Sequence, residues 1–353
     1  MKPTLAPADH HDHHDHHDPR ATGRGADKPP RPGRAVLGSH TIPTPALAVL
    51  ALIAAVMSFV NPSFLSPGNL SAVAEQSAVP AVLAVGLTFV ILMGGIDLSL
   101  EGTMAAASLT TALLVANDRN TMDLGLWAIA AGCAVGAAVG LVAGATVGLL
   151  RVPSFIVTIG TWQIGLGVAQ LLFGDTPPRV TDESFRALAE HRTAGLPGIV
   201  WIALLVVAVG WTLQRYTRFG RYAYVIGGSE ETALLSGVPV RAYRAAAFVL
   251  AGATAGLASA MATARSGVGD VGIGTGLLFT TIAGVVIGGT LLTGGRGGVL
   301  HSLVGVVVMV AIANAMVLAG VSSYIQQTVQ GAVVVTAASL TLWRARQRLR
   351  VIK

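Results

Sequence analysis

Gly86-Leu87-Thr88-Phe89-Val90-Ile91-Leu92-Met93-Gly94-Gly95-Ile96-Asp97-Leu98-Ser99-Leu100 decides what kind of fold this chain adopts. The stretch closes an apolar run long enough for a helix with two glycines, the residue most at ease at a helix C-terminus. It then opens a second apolar run with Asp-x-Ser. Asp97 is placed to cap the following helix, and Glu101 falls in its first turn, where the helix dipole favours an acid. Two readings stay open. One is a plain capped break between helices. The other is a break that lines a polar path, because irregular backbone at membrane depth survives only beside a cavity or other protein.

Outward from that break, the chain is apolar almost throughout. Of 353 residues, 53% are hydrophobic and 11% charged, and mean hydropathy is +0.67. Soluble domains carry about 25% charged residues, so the bilayer must be the solvent here. The 43 glycines suit helices packed closely in lipid. Ten runs approach the roughly 20 residues a crossing needs: 44–60, 70–93, 98–116, 126–150, 154–173, 197–214, 244–264, 275–293, 298–319 and 321–342. The expected fold is an all-α integral membrane protein of about ten transmembrane helices, or eight if the runs 98–116 and 275–293, which adjoin glycine pairs, are re-entrant. Eighteen of the 23 Lys and Arg then fall on one side, which makes both termini cytoplasmic. The expected organisation is a disordered tail 1–40, a transmembrane domain 41–343 and a basic cytoplasmic tail 344–353. Residues 174–196 form the largest outer loop. Residues 215–243 form the largest inner one, long enough for a short helix opened by Ser229-Glu230-Glu231.

Several function classes fall away. The net charge of +6 sits at the ends of apolar runs, which is a topology signal, so nucleic acid is not an expected partner. Lysine occurs only at positions 2, 28 and 353, so no P-loop exists and any ATP must bind elsewhere. Intramembrane acids are few, which speaks against an ion-coupled carrier without excluding it. No His-Glu-x-x-His or comparable catalytic set is present, and the single Cys133 permits no internal disulfide. No metal site is expected. His10, His11, His13, His14, His16 and His17, interleaved with Asp in the tail, have incidental affinity for divalent ions at most.

Two more motifs share the glycine-break design. Thr217-Arg218-Phe219-Gly220-Arg221-Tyr222-Ala223-Tyr224-Val225-Ile226-Gly227-Gly228-Ser229-Glu230-Glu231-Thr232-Ala233-Leu234-Leu235-Ser236-Gly237-Val238 lies in the inner loop. Ile282-Ala283-Gly284-Val285-Val286-Ile287-Gly288-Gly289-Thr290-Leu291-Leu292-Thr293-Gly294-Gly295-Arg296-Gly297-Gly298 ends an apolar helix. With the first motif, Asn314 and Val321-Ser322-Ser323-Tyr324-Ile325-Gln326, they resemble the membrane subunits of ribose-type ABC sugar importers, in the branched-chain transport permease superfamily. The resemblance covers residues 44–342 in order.

That resemblance implies a bacterial inner-membrane permease working with a second permease copy or sister subunit, an external solute-binding protein and separate ATPase subunits that hold ATP and Mg2+; this chain itself holds no cofactor. It implies an ATPase-coupling loop carried by Arg218, Gly220, Arg221, Gly227, Gly228, Ser229, Glu230, Glu231, Ala233, Ser236, Gly237 and Val238. The candidate translocation path takes Gln76, Gly94, Gly95, Asp97, Ser99, Thr161, Gln163, Gln170, Gly288, Gly289 and Asn314. The polar members of that set either bond neighbouring helices or line a wet path. Departures occur at Ser229, where the family has Asn, at Glu231-Thr232, and at Leu278 and Thr280, where an acidic pair is frequent. They leave the solute open: a monosaccharide leads, with a nucleoside or branched-chain amino acid in the same family, and a lone ion-coupled carrier as the other class. A faint internal echo pairs Val90–Gly95 with Val285–Gly289 and Ser154-Phe155-Ile156 with Ser323-Tyr324-Ile325, at different offsets.

Overall fold

A computed structural model describes residues 44–350. The histidine tract and the tail around it lie outside the described residues, as does the extreme C-terminus. A helix answers each of the ten apolar runs: α1 (Thr44–Val60), α2 (Pro67–Leu92), α3 (Leu100–Leu114), α4 (Trp127–Leu150), α5 (Ser154–Phe173), α7 (Gly198–Tyr216), α10 (Val240–Ser266), α11 (Leu277–Ile287), α12 (Val299–Leu318) and α13 (Ser323–Arg350). The two large loops are more structured than their polarity suggests. The first folds α6 (Glu183–Glu190) and a two-residue hairpin, β1 (Arg192–Thr193) with β2 (Leu196–Pro197). The second, expected to hold one short helix, holds two: α8 (Arg218–Gly228) and α9 (Glu230–Leu235).

Six of the helices, α2, α4, α5, α7, α10 and α12, are long and apolar enough to cross a membrane. Their outward faces carry large apolar side chains, such as Leu171 of α5 at 85% and Leu149 of α4 at 70% exposure, as expected where lipid is the solvent. The chain is therefore an all-α membrane protein. At 1.5 Å per residue, α3 (15 residues) and α11 (11 residues) span about 22 and 16 Å, short of a hydrocarbon core of about 30 Å.

The buried centre is α2, enclosed continuously from Ser77 to Leu92, flanked by α10. A seam of glycines at four-residue spacing on α4, Gly132, Gly136, Gly140 and Gly144, lies along α10. A Cβ on Gly136 would sit 2.0 Å from the Gly252 carbonyl oxygen, and one on Gly140 would sit 2.1 Å from that of Phe248. Lipid supplies no hydrophobic force between helices, so close backbone approach and dispersion hold such pairs together.

The order long helix, break, short helix, two long helices occurs twice, in α2–α5 and in α10–α13. Their packing corresponds: α4 lies on α10 as α12 lies on α2, and α5 on α3 as α13 on α11. Because α2 ends beside α8 whereas α10 begins just after α9, the halves run in opposite senses, as inverted repeats do. Ser154 and Ser323 open the equivalent helices α5 and α13, so that echo follows the repeat. The Val90–Gly95 echo does not, since α2 corresponds to α10 and not to α11. The two short helices meet at their N-termini, where Glu101 Oε1 accepts the Gly276 N–H at 3.0 Å.

Candidate coupling and translocation site

The inner-loop motif folds as a polar arm laid against the bundle. Thr217 caps α8, its hydroxyl accepting the Gly220 N–H at 3.3 Å while donating to Leu213 O at 2.6 Å. Ser229 caps α9 by accepting the Thr232 N–H at 3.2 Å. Gly237, at φ +74, then turns the chain, and Val238 N–H bonds Ala233 O at 3.0 Å. Gly220, Ala223, Ile226, Ala233 and Val238 face the bundle, while Arg218, Arg221, Gly228, Ser229, Glu230, Glu231, Ser236 and Gly237 face outward. Leu235 is 84% and Leu234 56% exposed, apolar side chains offered among the arm's polar ones.

All three glycine motifs converge at one point. Gly295 N–H donates to Leu92 O at 2.9 Å. Gly227 of α8 lies against that bond so closely that a Cβ there would sit 1.8 Å from Leu92 O and 2.5 Å from Gly295 N. Gly294 packs on Gly94 in the same junction. Backbone therefore touches backbone where α2 breaks, where the segment after α11 turns, and where the arm crosses both. Aromatic rings extend the contact: Phe89 of α2 meets Phe219 of α8 at 5.2 Å, and Phe219 stacks on Tyr243 of α10 at 6.0 Å.

Polar groups that the sequence did not single out lock this junction. Tyr224 hydroxyl donates to Gly297 O at 2.7 Å and accepts from the Gln214 side-chain amide. Gln214 Oε1 accepts the Val299 N–H at 2.7 Å, holding the first residue of α12. Burial pushes the Tyr224 phenol up, so it keeps its proton and its donor role. Below them the Thr88 and Ser302 hydroxyls are 2.7 Å apart, bridging α2 and α12. A lone amide ending the apolar run 197–214 was the available signal for Gln214.

The translocation residues separate into groups. Gly94 and Gly95 belong to the α2–α3 break, and Gly288 and Gly289 to the turn after α11. A Cβ on Gly288 would sit 1.9 Å from His301 O, and Gly289 adopts φ +100. Asp97 is 1% exposed and its Oδ1 accepts both the Ser99 N–H (2.8 Å) and the Ser99 hydroxyl (2.6 Å). It closes a turn one residue ahead of α3 and does not reach the first helical amides. Gln163 and Gln170 share an exposed face of α5 with Gly160 and Gly167, whose Cβ positions are open. Thr161 is buried and donates to Thr158 O at 3.2 Å. Gln76 is exposed one residue from Glu75, the carboxylate held by Arg192 at 3.3 Å and Arg265 at 3.5 Å. Asn314 pairs reciprocally with Asn69 at 2.9 and 3.0 Å, joining α12 to the start of α2. Among the described residues no cluster of His, Cys, Asp or Glu could hold a metal.

A bundle of apolar helices with two interrupted elements, held by an amphipathic arm at the α2–α3 break and the turn after α11, defines the membrane permease subunit of a transporter. More particularly, the chain belongs to the branched-chain amino acid transport system / permease component family, which it matches over residues 69–338. It is 36% identical over 295 residues to the ribose import permease protein of Escherichia coli K12, covering 82% of this chain and 90% of that protein. It is 31% identical to the L-arabinose ABC transporter permease protein of Azospirillum brasilense, covering 85% and 87%. It is also 31% identical to the D-allose transport system permease protein of E. coli K12, covering 83% and 89%. No solved structure matches the chain.

Proposed function

We propose that this chain is the transmembrane permease subunit of an ATP-binding-cassette importer that moves a monosaccharide-like solute inward across the bacterial cell membrane. The observation that carries this reading is the junction of Leu92, Gly227 and Gly295, which ties the exposed arm 215–243 to the α2–α3 break and to the turn after α11. A cytoplasmic ATPase that grips α8 and α9 thereby moves both, and the differential affinity of its nucleotide states for the two permease conformations supplies direction. ATP and Mg2+ bind in that partner, since this chain has no lysine between 28 and 353.

The topology has ten crossings with both termini cytoplasmic. Two of them combine a short helix with an extended segment: 93–99 with α3, and 267–276 with α11. The exposed α5 face with Gln163 and Gln170 faces the solute path between two permease subunits, a homodimer or a sister pair. An external binding protein delivers the solute to the end bearing α6 and the hairpin. A monosaccharide is favoured over a nucleoside or a branched-chain amino acid because the relatives named above handle ribose, arabinose and allose.

Proteoliposomes test the reading. Sugar uptake should require the ATPase subunit, the binding protein and ATP together. Uptake by the permease alone, driven by an ion gradient, would overturn it.

A further inference from the structure

Beside the arm, a cavity of about 560 Å3 opens at the same end of the bundle, within the size range of small-molecule sites. Its wall draws on four separate pieces of chain. Gly94 comes from the α2–α3 break, Arg151 and Ser154 from the α4–α5 turn, Glu230 from α9, and Arg241 and Arg244 from α10.

The charges in this cavity do not balance. Arg244 is committed to Glu230 by two bonds, at 2.8 and 3.3 Å. Arg151 and Arg241 form no close ion pair with any described residue, and Arg151 reaches Glu230 only through its longer-range charge, so three guanidinium groups share one carboxylate in a concave site. Such an arrangement concentrates anions. The N-terminus of α5 adds to it: its N-cap is Pro153, no side chain caps it, and the first amides of a helix carry partial positive charge. Ser154 Oγ already accepts the Ile96 N–H at 2.9 Å, which leaves its hydroxyl proton to donate.

Arg151 supplies an independent observation. It occupies the C-cap of α4 at φ 56, ψ 28, in the left-handed region. Glycine is the usual residue in that conformation at a helix end, and a side chain there is strained. An arginine held in a strained backbone at the rim of a cationic cavity fits a demand for its guanidinium.

We propose that this cavity binds a phosphate group at the membrane surface, gripped by the Arg151 and Arg241 guanidiniums and the α5 N-terminus. Guanidinium groups match phosphate oxygens two at a time. The group comes either from the headgroup of an anionic phospholipid or from a soluble phosphate ester. Bound there, it braces the arm against the α2–α3 break and the α4–α5 turn. The inference is independent of which solute is carried.

The test uses the full-length permease in nanodiscs, with thermal unfolding as the readout. One arm titrates inorganic phosphate into phosphatidylcholine discs, and the other replaces phosphatidylcholine with phosphatidylglycerol in the absence of phosphate. Wild type should be stabilised by at least one probe, phosphate marking a soluble source and phosphatidylglycerol alone a lipid one. Arg151→Gly and Arg241→Gln should each raise the midpoint of that response about tenfold. Arg186→Gln, at the opposite end, should leave it unchanged. Arg151→Gly guards against a folding artefact, because glycine suits the backbone and the variant should be at least as stable without the anion. The proposal is overturned if neither probe stabilises wild type, or if both variants respond as wild type does.

Discussion

Gly227→Ala is the sharpest perturbation of the coupling junction. The added methyl would lie 1.8 Å from Leu92 O, 2.5 Å from Gly295 N and 2.9 Å from Leu92 C. All three are backbone atoms, so no rotamer change relieves the clash, and α8 must lift from the junction. Overpacking of this kind costs about 1–3 kcal/mol. Separating the Gly295 N–H from Leu92 O inside the protein adds about 1–3 kcal/mol if the groups stay dry. The junction is thus weakened by about 2–6 kcal/mol, enough to detach the arm without dissolving a bundle whose core lies along α2 and α10. Gly228, the next residue, is the built-in control: nothing lies within 4 Å of its Cβ position, and Gly→Ala near a helix end is neutral or mildly stabilising. In reconstituted transporter, Gly227→Ala should abolish ATP-dependent uptake while helical content and assembly survive. In the isolated permease Gly227→Ala should lower the melting temperature and Gly228→Ala should not; equal melting of the two variants would refute the reasoning.

Three further outcomes are expected. Gly136→Ala drives a methyl to within 2.0 Å of the Gly252 carbonyl oxygen and should lower the melting temperature markedly, whereas Gly160→Ala and Gly167→Ala, in open space, should melt as wild type; circular dichroism in detergent reads both. Asn314→Leu leaves the Asn69 side-chain oxygen without its donor, the Asn69 amide nitrogen keeping Phe64 O, and should cost about 1 kcal/mol, with the Asn69→Leu/Asn314→Leu double variant recovering part of the loss; strictly additive losses would contradict the pair. The hydrogen bond from Arg244 holds the Glu230 carboxyl below its ordinary value against a smaller opposing effect of burial, helped by the charges of Arg244 and Arg151. The resulting stabilisation is complete above the ordinary carboxylate range and is lost as pH falls through the depressed value, so Glu230→Gln should remove an acid-side step from the profile of melting temperature against pH.

Much of the architecture was written locally. Every apolar run became a helix, because a spanning segment must satisfy its own backbone in lipid. What hydropathy does not carry is depth. The run 275–293 reads as one segment, yet its helix stops at Ile287, where Gly288 is the cap and Gly289 turns the chain out of the helix at φ +100. The glycine motifs were visible one at a time, but nothing in their spacing says that Gly227, Leu92 and Gly295 coincide, since that depends on helix packing. Among the polar candidates, the seven-residue interval correctly put Gln163 and Gln170 on one face. The partner of Asn314 was out of reach, because Asn69 lies 245 residues away. The small elements α6 and β1–β2 are too short to have a period. The helix forms because Phe185 buries fully and Asp182 caps it by accepting the Phe185 N–H at 3.0 Å, and the hairpin turns on Ala194 and Gly195, both at positive φ.

The bond between Glu101 and Gly276 has a consequence for biogenesis. Its partners are 175 residues apart, so while the ribosome is still making the second half, α3 is a helix too short to cross alone whose first-turn carboxylate has nothing to hold. The first half cannot mature on its own schedule. It must wait, loosely inserted, until its inverted counterpart arrives, and a chain cut within 174–196 should yield two fragments that are each degraded alone and rescued only by co-expression.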